Sequence, residues 1–279
     1  MVYEVALPFS TSTFNAAGID IEVAQAGQGR PLLFLHAGPS PLWPDHACLD
    51  ALATRFRVIA PWHPGFGASE LPTDFRDVCD IAYTYLDLIE RLGLDDVVLA
   101  GASFGGWIAA EMAVRSTNRL GALVLAGAFG IKVSDRETRD IADFYAMPMT
   151  DWPALAYADP VRWAPDYGAL PQDELERIAR ARESMAYFGW KPFMHNPQLR
   201  RWLHRIDVPS LVLWGSEDRV AAPRYGRAYA QAIGGNAEFV LVEGAGHYPH
   251  IERAADVAAL VGRFAAPASS SSKALSGAV

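Results

Sequence analysis

Short apolar runs recur along this chain, each closed by a turn-forming cluster and separated from the next by apolar residues at helical spacing. Pro31-Leu-Leu-Phe-Leu35, Arg57-Val-Ile-Ala60, Val97-Val-Leu-Ala100, Leu120-Gly-Ala-Leu-Val-Leu-Ala126, Ser210-Leu-Val-Leu-Trp214 and Ala237-Glu-Phe-Val-Leu-Val242 all have strand length. A strand can be apolar at successive positions only when both of its faces are covered, so these runs predict a mainly parallel sheet between helices. Ile19-Asp-Ile-Glu-Val-Ala24 alternates instead, which predicts an early strand with one face in water. Helical spacing fills residues 45–55, 78–92 and 106–115, and the second of these stretches ends at Gly93, a suitable C-terminal cap.

That alternation implies an α/β fold. It breaks between about residues 130 and 205, a stretch rich in Trp, Tyr, Pro and charge whose helical segment, 173–187, follows no strand-like run. The break predicts a helical lid over 130–205 inserted into a core made of 1–129 and 206–265. Residues 266–279 are low in complexity and poor in large apolar groups, so a mobile tail is expected there.

Composition narrows the function classes. The 279 residues are 51% hydrophobic and 20% charged, which suits a soluble globular enzyme, and carry a formal net charge of -8. With no cluster of Lys and Arg, neither nucleic acid nor an anionic membrane is an expected partner, and a neutral or apolar small molecule is. No apolar stretch reaches transmembrane length, and the first residues lack the basic and apolar regions of a secretory signal, so a cytoplasmic location is expected. Cys48 and Cys79 have no metal-ligand spacing and read as reduced, structural thiols. Folding requires no second subunit, and either a monomer or a homodimer is compatible with the chain.

The chemistry begins at Gly101-Ala-Ser103-Phe-Gly105, between a predicted strand and a predicted helix. A strand that turns sharply into a helix holds its central residue in a strained backbone, and side chains two positions to either side would clash across the turn. The Ser103 hydroxyl is thereby displayed at a strand end as a nucleophile. It needs a base within hydrogen-bond reach and a carboxylate to orient that base. Asp218 in Gly215-Ser-Glu-Asp218 and His247 in Gly244-Ala-Gly-His247 each follow a later strand, and the chain order Ser103, Asp218, His247 suits this architecture.

Six other histidines compete with His247. His36 and His63 lie on turns, where a loop-bracing role fits better, and His46, His195 and His204 fall in helical or lid segments. His250 is the serious competitor, but a Gly-Ala-Gly loop can aim His247 freely while His250 opens the last helix. Glu217 is the alternative acid, and a turn or a pair with Arg219 is the alternative role for Asp218. Two backbone donors are needed for a developing oxyanion: Phe104 supplies one, and the loop after Leu35 the other, from Gly38 with Ala37 as the alternative, since Pro39 has no N–H.

Taken together these features resemble the α/β-hydrolase superfamily, of the serine-nucleophile type with a helical cap, over about residues 14–264. The landmarks are His36-Ala-Gly38, Pro64-Gly-Phe-Gly-Ala-Ser69, Gly101-Ala-Ser-Phe-Gly-Gly106, Gly215-Ser-Glu-Asp218 and Gly246-His247. The resemblance implies the α/β-hydrolase fold, a Ser103-Asp218-His247 triad, an oxyanion hole at Gly38 and Phe104, and no metal or organic cofactor. Two positions depart from the family pattern: Ala37 replaces the usual glycine after His36, and Trp62 stands where an acid often precedes the Pro-Gly turn. Relatives that open epoxides or displace halide place a carboxylate at the nucleophile position, and Ser103 argues against both activities.

Carboxylic ester hydrolysis of a small apolar substrate is the main expectation. The alternative is carbon–carbon bond hydrolysis of a ring-cleavage product, with a lactonase or a slow ligand sensor behind it. The lid holds Trp152, Trp163, Trp190 and Trp202 beside Tyr145, Tyr157, Tyr187, Phe188 and Phe193, which either line an apolar pocket or form the lid's own core. Trp107, Trp190, His36 and Tyr248 are the candidate pocket residues. Carbon–carbon hydrolysis of a dienoate would require an inward cation, for which Arg162, Arg180, Arg182 and Lys191 are available.

Overall fold

The computed structural model describes residues 9–42 and 46–266. Eight strands form one sheet: β1 (Ser10–Ala16), β2 (Ile19–Ala26), β3 (Arg30–Leu35), β4 (Phe56–Pro61), β5 (Val97–Ala102), β6 (Leu120–Ala126), β7 (Ser210–Gly215) and β8 (Ala237–Val242). Their spatial order is β1-β2-β4-β3-β5-β6-β7-β8. β2 pairs antiparallel with both β1 and β4, and the pairs from β4 to β8 are parallel. β3, β5 and β7 are buried almost throughout, as their unbroken apolar runs predict. β1, Ser-Thr-Ser-Thr-Phe-Asn-Ala, is mostly exposed and offers no apolar pattern to find.

Strand order dictates where helices lie. β3 connects to β4 in one direction, whereas β4 to β5, β5 to β6 and β7 to β8 run in the other. Right-handed crossovers therefore send the first connecting helix to one face and the others to the opposite face. Accordingly α1 (Ala47–Ala53) packs on the C-terminal helix, while α2 (Val78–Arg91) packs on α3 (Phe104–Arg115). The Asp77 side chain caps α2 by accepting from the Cys79 amide at 2.7 Å.

Between β6 and β7 the insertion carries α4 (Trp152–Ala156), α5 (Pro160–Trp163), α6 (Gln172–Gly189) and α7 (Leu199–Trp202). After β7 come α8 (Pro223–Ile233), then β8, α9 (Pro249–Glu252) and α10 (Ala254–Phe264), the partner of α1. Among the described residues no helix is long and apolar enough to cross a membrane. The expected tail lies outside the described residues beyond residue 266.

The loops after β3 and β5 leave neighbouring strands toward opposite faces. A crevice opens at that reversal, at the carboxyl ends of the parallel strands, and this is where an open α/β sheet receives a ligand.

Candidate active site

Ser103 sits on that crevice with φ 51° and ψ -113°, a left-handed conformation that a side chain rarely adopts. The strain is held from both sides. Its amide donates to the Ala126 carbonyl at 2.9 Å, and its carbonyl accepts from Trp107 and Phe129 at 3.1 and 3.0 Å. The flanking glycines are required by contact. A Cβ on Gly105 would lie 2.1 Å from the Leu35 carbonyl oxygen, and one on Gly101 would lie 2.4 Å from the Gly105 carbonyl oxygen.

His247 Nε2 lies 2.8 Å from Ser103 Oγ, and His247 Nδ1 lies 2.8 Å from Asp218 Oδ2. The imidazole and the Asp218 carboxylate are both sealed from solvent. Asp218 Oδ1 accepts from the Val220 and Ala221 amides, each at 2.9 Å, so the carboxylate is an acceptor at both oxygens. This fixes the tautomer: Nδ1–H donates to Asp218, and bare Nε2 accepts from the serine hydroxyl. Phe129 stacks on the imidazole at 5.0 Å between centroids, which fixes the ring plane. Such a chain can take a proton from Ser103 as its oxygen attacks a carbonyl carbon and return it to a leaving group. Glu217 is exposed and pairs with Arg219 at 3.2 Å, leaving Asp218 as the acid on His247.

The loop after β3, where the second oxyanion donor is expected, is braced by two neutral histidines. His36 Nδ1–H donates to the Gly38 carbonyl at 2.7 Å, and His36 Nε2 accepts from the His63 amide at 3.3 Å. His63 in turn bonds the His36 carbonyl through Nε2 at 3.0 Å and the Tyr85 hydroxyl through Nδ1 at 2.8 Å. The two rings stack at 3.8 Å. Burial drives both to the uncharged form, holding His63 at about 3 and His36 well below its ordinary 6.5. With its carbonyl turned inward, Gly38 borders the cavity over Ser103, and neither its amide nor that of Phe104 donates to a described acceptor. Both are free to meet an oxyanion.

The departure at Trp62 has a structural account. Its ring is buried beneath Gly67, where a Cβ would lie 2.5 Å from the indole Cδ1. The bracing carboxylate comes from β2 instead: Glu22 Oε2 accepts from the Ala68 amide at 2.8 Å.

The insertion supplies part of the cavity wall. Phe34, Phe129, Phe144, Tyr157 and Met185 supply apolar surface beside Ser103, with His36 and Tyr248 also in the wall. Trp107 and Trp190 are corrections. Trp107, on α3 itself, is buried and spends its indole N–H on Glu111 at 3.1 Å, because α3 is covered on every side and the ring packs internally. Trp190 is 58% exposed on the outside of the insertion, edge-on to Tyr145. Arg182 is the one Lys or Arg among the described cavity-lining residues. Arg180 instead donates to the Gly67 and Ser69 carbonyls, Arg162 stacks on Trp163, and Lys191 is exposed. Among the described residues no group of three or more His, Cys, Asp or Glu side chains is placed to hold a metal. Neither cysteine is in a disulfide among the described residues.

Comparison with known proteins agrees with this architecture. The sequence profile of the alpha/beta hydrolase fold matches residues 30–254. The chain belongs to the α/β-hydrolase family. This hydrolase is 32% identical over 272 residues to the 2-hydroxymuconate semialdehyde hydrolase of Pseudomonas sp. (strain CF600), covering 91% of this chain and 93% of the relative. It is 31% identical over 232 residues to haloalkane dehalogenase 2 of Mycobacterium tuberculosis (strain H37Rv), covering 78% and 81%. Among solved structures, the 2-hydroxy-6-oxo-6-phenylhexa-2,4-dienoate hydrolase of Rhodococcus sp. strain RHA1 superposes with a TM-score of 0.74 at 21% identity, covering 92% and 99%.

Proposed function

We propose that this α/β-hydrolase cleaves a carbon–carbon bond in a small ring-cleavage product, a 6-oxo-dienoate with a free carboxylate. The observation that carries this reading is Arg182, a partly buried residue and the one Lys or Arg among the described residues that line a mainly apolar cavity, its guanidinium 5.2 Å over the Tyr145 ring. Tyr145, Tyr167 and Tyr248 lie within its electrostatic reach. A neutral ester gives such a site no reason to desolvate a cation, whereas a carboxylate does. The likeness to a 2-hydroxymuconate semialdehyde hydrolase over nine-tenths of both chains supports the same substrate class. Ser103 replaces the carboxylate nucleophile that dehalogenation requires, which separates this chain from its dehalogenase relative.

Ser103 Oγ attacks the 6-oxo carbon while His247 Nε2 takes its proton and Asp218 steadies the imidazolium. The Gly38 and Phe104 amides hold the oxyanion. The substrate reacts as its 2,6-dioxo tautomer, in which the 2-hydroxyl proton has moved to C5. When the tetrahedral centre collapses, the C5–C6 bond breaks, its electron pair passes through C4 and C3 onto the 2-oxo oxygen, and a proton returns to give the 2-hydroxy-2,4-dienoate fragment. Water activated by His247 then releases the acyl group from Ser103. The insertion serves as a lid that keeps bulk water from the carbanion-like fragment.

The test is steady-state turnover of 2-hydroxy-6-oxohepta-2,4-dienoate against p-nitrophenyl esters by the wild type, Ser103→Ala and Arg182→Leu. Wild type is expected to prefer the dienoate and Ser103→Ala to lose both activities. Arg182→Leu should raise KM for the dienoate by about 10- to 100-fold, the scale of a charge-assisted hydrogen bond, while sparing the esters. Ester turnover that exceeds dienoate turnover and ignores Arg182 would move the assignment to carboxylesterase, whose chemistry the same serine and amides support.

A further inference from the structure

His250 lines the cavity and hydrogen-bonds to nothing among the described residues. Its Nδ1 is sealed from water without a partner, an arrangement that costs free energy and that packing alone does not call for. The ring is held in place by aromatic neighbours, Phe34 at 5.9 Å and Tyr248 at 6.1 Å between centroids, the second at 87°. A proton on Nδ1 would be a buried donor with no acceptor, so the proton belongs on Nε2, the nitrogen left within reach of a ligand.

We propose that His250 is a specificity-determining residue whose Nε2–H donates to an uncharged oxygen on the carbon next to the substrate carboxylate. The inference rests on the carboxylate site assigned to Arg182 above. Tyr248 links the two positions, for it borders the His250 ring and lies within reach of the Arg182 charge. Arg182 and His250 line the same cavity beside Ser103, and the proposal sets the carbon next to an Arg182-bound carboxylate within reach of His250. Burial, reinforced by His247, holds the imidazole at about 3, so it meets substrate as a neutral donor and adds no second positive charge. The two residues divide the work: Arg182 selects an acid, and His250 distinguishes a 2-oxo or 2-hydroxy acid from one that lacks the oxygen. A donor built for such an oxygen discriminates strongly, since its absence leaves the buried group unpaired.

The experiment uses binding, so that it does not depend on turnover. Ser103→Ala protein is titrated with 2-oxohexanoate and with hexanoate, which differ only in that oxygen, and the titrations are repeated with His250→Leu, His250→Gln and Arg182→Leu added. The expected result is about tenfold tighter binding of the oxo acid. That preference should collapse toward unity in His250→Leu with hexanoate affinity unchanged, and persist in His250→Gln, whose amide still donates. Unchanged hexanoate affinity also shows that the Leu variant is folded around an intact cavity. No preference in the parent, a preference indifferent to His250→Leu, or binding of neither acid would each overturn the proposal. Arg182→Leu should weaken both acids alike. A protein that shows the His250-dependent preference yet leaves dienoates uncleaved loses the reaction assigned above and keeps this subsite.

Discussion

The main-chain amide of His247 donates to the carbonyl of Ala156 at 2.7 Å, so the loop that carries the base is bonded to the end of the insertion's first helix. Glu252 doubles the joint. One carboxylate oxygen accepts from the Ala158 and Asp159 amides at 2.8 and 3.3 Å, and the other accepts from the Gly246 amide at 2.5 Å. Arrangement of the insertion and aim of the base are therefore not independent.

Glu252→Gln, which can offer a carbonyl to only one side of this joint, is expected to lower kcat about tenfold while the protein stays folded. Glu252→Ala leaves the buried Gly246 amide unpaired and takes the acceptor from the part-buried Ala158 and Asp159 amides, and should also lose about 2 kcal/mol of stability. Parallel kinetics and denaturant unfolding check both. A Gln variant with wild-type kcat would show that the joint holds the insertion alone.

Gly105→Ala should abolish folding or activity, because the new methyl meets the main chain of Leu35 and His36 at 2.1 to 2.5 Å and no side chain can yield there. Gly93→Ala, whose added methyl meets nothing within 4 Å, should cost only the strain of its φ of 60°, about 1 kcal/mol. Thermal unfolding of the two variants separates contact from conformation.

Asp218→Asn is expected to reduce kcat by about 10³- to 10⁴-fold with little loss of stability. The amide can still accept from Val220 and Ala221 but presents a donor to His247, which flips the imidazole to the tautomer with Nε2–H facing Ser103. A pH–rate profile of the residual activity, compared with Ser103→Ala, checks that the loss lies in the proton transfer.

Stability should fall as the solution is acidified. His36, His63 and His250 are all held uncharged in the fold, His63 and His250 at about 3, whereas the unfolded chain protonates near 6.5. The unfolded state therefore binds more protons between these values, and the folded state loses ground throughout that window. At pH 5 each such histidine costs about 2 kcal/mol relative to pH 7. Unfolding free energies at the two pH values, for wild type and His250→Gln, should differ in slope by one such contribution.

Ser103, Asp218 and His247 were legible because each follows an apolar strand run, and strand ends in a parallel sheet converge on one rim. The order of those runs also carried the sheet. β1 was not legible: an edge strand with five exposed positions needs no apolar pattern. Nor was α8 singled out, although Pro223 at its start and Gly234 at its end are the punctuation of a helix. The cavity was harder still. Trp107 and Trp190 have the ring size a pocket would use, but which way a ring turns depends on partners distant in sequence, Glu111 for one and solvent for the other. Arg182 was one of four cations available on the insertion, and only tertiary packing distinguishes it from Arg180, two residues earlier on the same helix.

The paired histidines behind Gly38 make one directional circuit. Tyr85 O–H points to His63 Nδ1, His63 Nε2–H to the His36 carbonyl, the His63 amide to His36 Nε2, and His36 Nδ1–H to the Gly38 carbonyl. Each arrow obliges the next, so the circuit has a single proton arrangement in which every ring nitrogen is satisfied. One added proton on either ring sets donor against donor and breaks it. The loop that carries Gly38 is thus polarised by a relay that begins at a tyrosine on α2, and replacing that distant hydroxyl with Phe removes the first arrow without touching the crevice.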